Sequence, residues 1–306
     1  MVFFIVMGPV GNETSHASEN SGRCIILISL KIKPYLEALE GIKAYLKAFP
    51  EITIEPFFLE DVETSWQKDP PFSKGVDRHQ SIIAVGPEAA LFLHVNFPDH
   101  AIRKIFTMIS NPSTIIPQHE SSFCGIFLSV NARTQVTLIA KALPDVRTLG
   151  ILYNPHNNQD YVSLAQKTGT AAGIKIKPLM VGARDEVPEL LRNNWKNLDG
   201  LLLIPDATVI SASLVKHIIK DGLSNNVPVI GYNRFFIQNG ALMAFVYDYE
   251  QIGRETAVMV RQLFLEKTGC RTMPAAFSIV ANQRIAKQLD RVVITETGNG
   301  VVEKNE

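Results

Sequence analysis

Cysteine is scarce: Cys24, Cys124 and Cys270 are the only three in 306 residues, and no two form a Cys-x-x-Cys pair. An odd count without short spacing argues against a disulfide framework, so three isolated, mostly buried thiols are expected. Charge of one sign is also lacking. Thirty basic residues balance thirty acidic ones, which leaves no basic stripe for nucleic acid and no global field to select an ionic partner. No apolar run approaches the ~20 residues of a membrane-spanning helix. The seven histidines fall into no metal-ligand spacing, and Gly-x-Ser-x-Gly and Gly-x-x-x-x-Gly-Lys are both absent. Gly298-Asn299-Gly300 lies too late in the chain to open a dinucleotide-binding turn. No catalytic residue, metal or cofactor is therefore expected.

What is present is a regular alternation of short β-branched runs with amphipathic segments. Cys24–Ser29, Ile52–Phe58, Ser81–Val85, Lys104–Met108 and Phe123–Val130 read as strands, and Tyr35–Phe49 and the segment opened by Gly86-Pro87-Glu88 read as helices. The rhythm restarts at Asn131, a candidate N-cap for a helix to Leu143. Strands follow at Leu149–Tyr153, Ile174–Val181, Gly200–Ile204 and Val227–Ile230, with helices at Gln159–Gly173, Val187–Asn193 and Ile210–Asp221. Ala241–Tyr247 is a further strand, followed by a helix after Asp248, and Phe277–Val280 is the last, leading into a helix over Ala281–Leu289. The spacing predicts an α/β fold of parallel sheets flanked by helices. At 306 residues two Rossmann-like lobes are expected rather than one core, and residues after Thr295 read as a frayed polar tail.

Open α/β sheets bind ligands beyond the carboxyl ends of their strands, and several such ends carry suitable chemistry. Tyr232-Asn233-Arg234-Phe235-Phe236 reads as a loop of hydrogen-bonding, cationic and aromatic side chains, in which Tyr232 would stack on an apolar or aromatic ligand. Asp248 would cap the helix after it or face a ligand. Gly86 and Pro87 open a helix whose N-H groups suit a carboxylate. Ser110 and Asn111 end the next strand, and Asn154 ends the strand after Leu149.

Leu143-Pro144-Asp145-Val146-Arg147-Thr148-Leu149-Gly150-Ile151-Leu152-Tyr153-Asn154-Pro155 is similar to a segment shared by ABC-transporter substrate-binding proteins. The likeness continues at Thr208–Ser211, Val227–Gly231, Gly240–Leu242 and Asp248–Ala257, and spans roughly Arg23 to Asp290. It resembles the tryptophan/tyrosine-type members, which have a type I periplasmic-binding-protein-like fold of two lobes joined by three crossovers. The resemblance implies an N-terminal lobe of residues 23–128 plus 247–274 and a C-terminal lobe of 129–246 plus 275–295. Residues 296–306 would be the tail.

By the same resemblance the protein is an extracytoplasmic, monomeric solute-binding protein. It would close on a small organic ligand such as an aromatic amino acid and pass it to an ABC permease. Asp206 matches the family's acidic position and would pair the ligand's ammonium. Residues 1–22, with the apolar run Met1–Met7, would be a truncated signal peptide or disordered. The chain departs from its relatives at the basic Leu30–Lys33, at Tyr232–Arg234 after Gly231, and over Trp66–Arg78; these differences bear on the ligand more than on the fold. A ligand-sensing module for a signalling receptor, or an α/β enzyme using the same cleft, are the other readings such a fold allows.

Overall fold

Gly22–Ile28 forms a strand in which every residue but Arg23 is buried, as a strand covered on both faces requires. The computed structural model describes residues 22–61, 80–98, 102–117, 123–263, 271–294 and 302–305. The expected signal segment, the Trp66–Arg78 stretch and Cys270 lie outside them.

In chain order the elements are β1 (Gly22–Ile28), α1 (Lys33–Leu46), β2 (Ile52–Phe58), β3 (Gln80–Val85), α2 (Pro87–Asn96), β4 (Arg103–Ile109), β5 (Phe123–Phe127), α3 (Ala132–Ala142), β6 (Thr148–Tyr153) and α4 (Pro155–Ala172). They continue with β7 (Lys175–Met180), α5 (Val187–Arg192), β8 (Gly200–Leu203), α6 (Ala212–Ser224), β9 (Val229–Gly231), α7 (Arg234–Gln238), β10 (Met243–Val246), α8 (Tyr249–Arg261), β11 (Met273–Pro274), β12 (Ser278–Asn282), α9 (Gln283–Gln288) and β13 (Val302–Asn305). Local chemistry sets several of these boundaries. Asn131 caps α3 by accepting the Thr134 N-H at 2.9 Å. Gly173 ends α4 in the left-handed region at φ 76°.

The chain forms two compact units, one running to Ile126 and resumed over Tyr249–Thr272, the other comprising Phe127–Asp248 and the chain from Met273. The first sheet has the order β11-β5-β4-β3-β1-β2, and the second β13-β12-β10-β9-β8-β6-β7. Within the first, β1 pairs in parallel with β2 and β3, and β3 with β4. In the second, β7, β6, β8, β9 and β10 are parallel neighbours. Each sheet therefore reverses its winding once, between β1 and β3 in the first and between β6 and β8 in the second. Ligands of doubly wound sheets bind at such reversals.

The second unit shows how alternation builds its two cores. Leu149, Ile151 and Tyr153 of β6, with Leu202 of β8, pack into one cluster together with Val136 and Ile139 of α3. Leu152, Leu201 and Leu203 turn the other way, onto Val215, Ile218 and Ile219 of α6. Successive side chains of a strand point to opposite faces, so a continuous apolar run serves both. In the first unit α8 packs on α1 through paired glycines. A Cβ on Gly41 would stand 2.0 Å from the Glu250 carbonyl oxygen, and one on Gly253 2.0 Å from that of Ala38. The two backbones touch because neither position has a side chain.

Four expectations need correction. Cys124 is disulfide-bonded whereas Cys24 is free and buried; an odd count still allows one bridge beside a lone thiol. The last core strand, β12, runs antiparallel to β10, a direction that apolar content does not encode. The tail is not frayed throughout, because Val302–Asn305 pairs in parallel with Ile279–Asn282. Finally, α4 begins at Pro155, four residues before the expected start, with a break at Asn158 (φ −135°, ψ 21°). Among the described residues no helix is long and apolar enough to cross a membrane.

Candidate ligand-binding site

At the reversal of the second sheet, the loop after β6 meets the loop after β8. Asp206 stands at the junction, only 3% exposed. One carboxylate oxygen accepts the Asn154 N-H at 2.8 Å and the Asn158 side-chain amide at 2.7 Å. The other accepts the Thr208 N-H at 2.9 Å and, at 3.5 Å, the Asn157 side-chain amide. Burial pushes the Asp206 pKa up, but the donors from Asn154, Asn158, Thr208 and Asn157 outweigh it and hold the carboxyl below its ordinary value. The group is thus an ionised carboxylate with little exposed surface.

Asn154 ties the two loops together. Its side-chain amide donates to the Thr208 hydroxyl at 3.0 Å, while its side-chain oxygen accepts the His156 N-H at 2.9 Å and caps α4. The break in α4 at Asn158 lets that residue's amide turn back to Asp206 and to the Pro205 carbonyl. Beside them, the buried Tyr153 hydroxyl donates to Gln159 at 3.4 Å.

The next strand end differs from expectation. The Tyr232–Phe236 segment is not all loop, because α7 starts at Arg234, capped by the Asn233 side-chain oxygen on the Phe235 N-H at 3.1 Å. Phe236 is 1% exposed and fills the space that Gly231 leaves. Half-buried Tyr232 lies against it, ring centroids 4.7 Å apart. Arg234 and Asp248 are exposed.

The first unit carries its own set. Gly86 has φ 96°, and a Cβ there would stand 2.5 Å from Ser29 Oγ and 2.8 Å from the Tyr35 ring. Pro87 has no N-H, Ala89 donates to Ser29 Oγ at 2.9 Å and Ala90 to the Gly86 carbonyl, so Glu88 is the donor left in that turn. Ser110 and Asn111 are exposed beyond β4, with Asn111 Oδ1 accepting from Ser113 at 2.7 Å. Just before them Met108 takes φ 62°, a strained conformation for a side chain of its size.

The structure thus brings Asp206 and Asn154 into direct contact, puts Tyr232 and Asn233 on the same sheet edge, and sets Gly86, Pro87, Ser110 and Asn111 at the strand ends of the other unit. Sequence reasoning missed Asn157, Asn158 and Thr208. The amide-rich run His156-Asn157-Asn158-Gln159 directly after Asn154-Pro155 was the available signal. Among the described residues no three His, Cys, Asp or Glu side chains converge as metal ligands. An open depression of about 570 Å³ lies at the amino ends of β6, β7 and β8, lined by Lys175, Lys177, Lys196 and Asp199. It is on the wrong end of the sheet for the site. Lys175 and Lys177 there belong to edge strand β7, where they and Pro178 discourage pairing with another chain.

This architecture is that of type I periplasmic binding proteins. Solved structures with the same fold include a conserved domain protein of Vibrio cholerae (TM-score 0.65, 19% identity, 93% of this chain and 100% of that one). Another is an ABC domain in complex with L-Trp from Streptococcus pneumonia (TM-score 0.67, 18% identity, 93% and 100%). A third is the ligand-free, open form of a substrate binding protein with adhesive properties from Clostridium difficile (TM-score 0.74, 17% identity, 93% and 99%). No curated protein matches the chain significantly by sequence. The family model for ABC transporter substrate binding proteins matches residues 105–297, and the chain belongs to that family. It is a non-enzymatic family whose members bind a small ligand and their transporter and are typically extracytoplasmic.

Proposed function

We propose that the protein captures an amino acid with an apolar or aromatic side chain and delivers it to an ABC importer, acting as a monomer outside the cytoplasm. The observation that carries this reading is the ionised, nearly buried Asp206 at the reversal of the second sheet. Three of its hydrogen bonds are short, and the fourth, from Asn157 at 3.5 Å, is at the limit of a hydrogen bond. An ammonium group replaces Asn157 on that oxygen and gains a charge-assisted bond. Tyr232 offers a ring face for the side chain. Asn154, Asn233 and Asp248 on this edge are the further polar contacts this reading assigns. The L-Trp in the Streptococcus neighbour supports the ligand class. The Cys124 disulfide suits an oxidising compartment.

A thermal-shift screen of the purified chain against amino acids, sugars, purines and aromatic acids tests it. A ligand at 100 times its Kd adds about 2.7 kcal/mol, a shift of several degrees. An aromatic or apolar amino acid should stabilise the protein, Asn157→Ala should bind it at least as tightly, and Asp206→Asn should lose about 100-fold. Stabilisation by sugars or purines alone would overturn the assignment.

A further inference from the structure

Arg184 follows β7 and is exposed, yet its guanidinium makes no ion pair among the described residues. It is spent instead on the backbone of a single loop. Nε donates to the Thr208 carbonyl at 3.2 Å, and one terminal nitrogen donates to the carbonyls of Ala207 at 3.2 Å and Ile210 at 3.5 Å. On its inner side the same loop carries Asp206 and the Thr208 hydroxyl, which meet Asn154. Between β8 and α6 the loop is otherwise held from within: the Val209 and Ile210 N-H groups both bond back to the Asp206 carbonyl, and Val209 is buried in the core. Peptide carbonyls in an exposed turn normally face water, so three of them gathered on one planar cation need an explanation.

We infer that Arg184 is a positioning residue: it clamps residues 207–210 from outside and so holds Asp206 and Thr208 in the arrangement the ligand requires. The inference rests on the proposed role of the Asp206 cluster. It needs arginine in particular, because a lysine ammonium is a point charge and cannot serve three carbonyls from a flat fork. Arg184 touches the loop backbone, not the Asp206 carboxylate, so its loss changes order at the site without removing any ligand contact.

The test uses the whole chain with Arg184→Lys and Arg184→Gln, read by amide hydrogen exchange of the ligand-free protein and by affinity for the amino acid that stabilises the wild type most. Exchange at Thr208, Val209 and Ile210 should quicken at least tenfold in both variants, with α6 unchanged, and affinity should fall about tenfold. A double variant with Thr208→Ala should lose less than the two single losses combined, since both act through one loop. Unchanged exchange overturns the clamp whatever the ligand. Faster exchange with unaltered affinity overturns its coupling to the site, and weakened affinity with unchanged exchange would make Arg184 a direct ligand contact instead. If no amino acid stabilises the wild type, the proposed function falls, and exchange alone decides the clamp.

Discussion

Asp206 shows how far a single side chain can be read. Its place beyond a strand end was legible from the alternation of elements, and its acidity from the family resemblance. Its partners were not, because the donors from Asn157 and Asn158 reach it only through the break in α4, and no propensity marks that break. The four bonds also set a pH dependence. The folded pKa lies below the unfolded one, which is near 3.9. The stabilisation is therefore complete above that value and is lost as pH falls through the depressed folded value. Asp206→Asn turns an amide donor toward N-H groups and should cost about 2 kcal/mol at pH 7. In thermal melts the gap between wild type and variant should narrow steadily below pH 4. A gap that stayed constant to pH 2 would mean that the carboxylate's charge contributes nothing.

Elements with long apolar periods were found at nearly their true bounds, because burial on one or two faces writes itself into the sequence. Short elements fixed by a cap or by an edge were not. The five-residue α7 depends on Asn233 as its cap, and β13, Val-Glu-Lys-Asn, lacks the apolar run that marks the other strands yet pairs with β12. The packing of α8 on α1 has its physical cause in the chain as Gly41 and Gly253. With a Cβ at either position 2.0 Å from a carbonyl oxygen of the other helix, the backbones must separate. Gly41→Ala and Gly253→Ala should each cost about 1–3 kcal/mol, while Ala44→Gly on the same helix should cost only about 1 kcal/mol. Urea unfolding would measure this. Destabilisation by the two alanines no larger than that control would show that α1 and α8 do not depend on the close approach.

At the scale of the whole molecule, fold class followed from length and alternation, and the winding of each sheet followed from the order in which those elements pair. Ligand identity did not follow, because it depends on a few side chains at strand ends where capping and binding use the same residue types: Asn154 and Asn233, both proposed as ligand contacts, cap helices in the structure. The charge balance does limit the choice. With thirty cations against thirty anions and a formal net charge of zero, the protein has no long-range field to steer an ionic ligand, and a zwitterion carries no net charge to be steered. Association should then be nearly indifferent to ionic strength. In stopped-flow fluorescence, raising NaCl from about 50 to 500 mM, which shortens the Debye length from roughly 14 to 4 Å, should change the on-rate less than about twofold. On the proposed reading the off-rate should hold as well, since Asp206 is buried and a bond to it is poorly screened. A tenfold slowing of association would instead mean an anionic or cationic ligand captured through a local patch, and would remove the amino acid from consideration even if the Asp206 cluster proved essential.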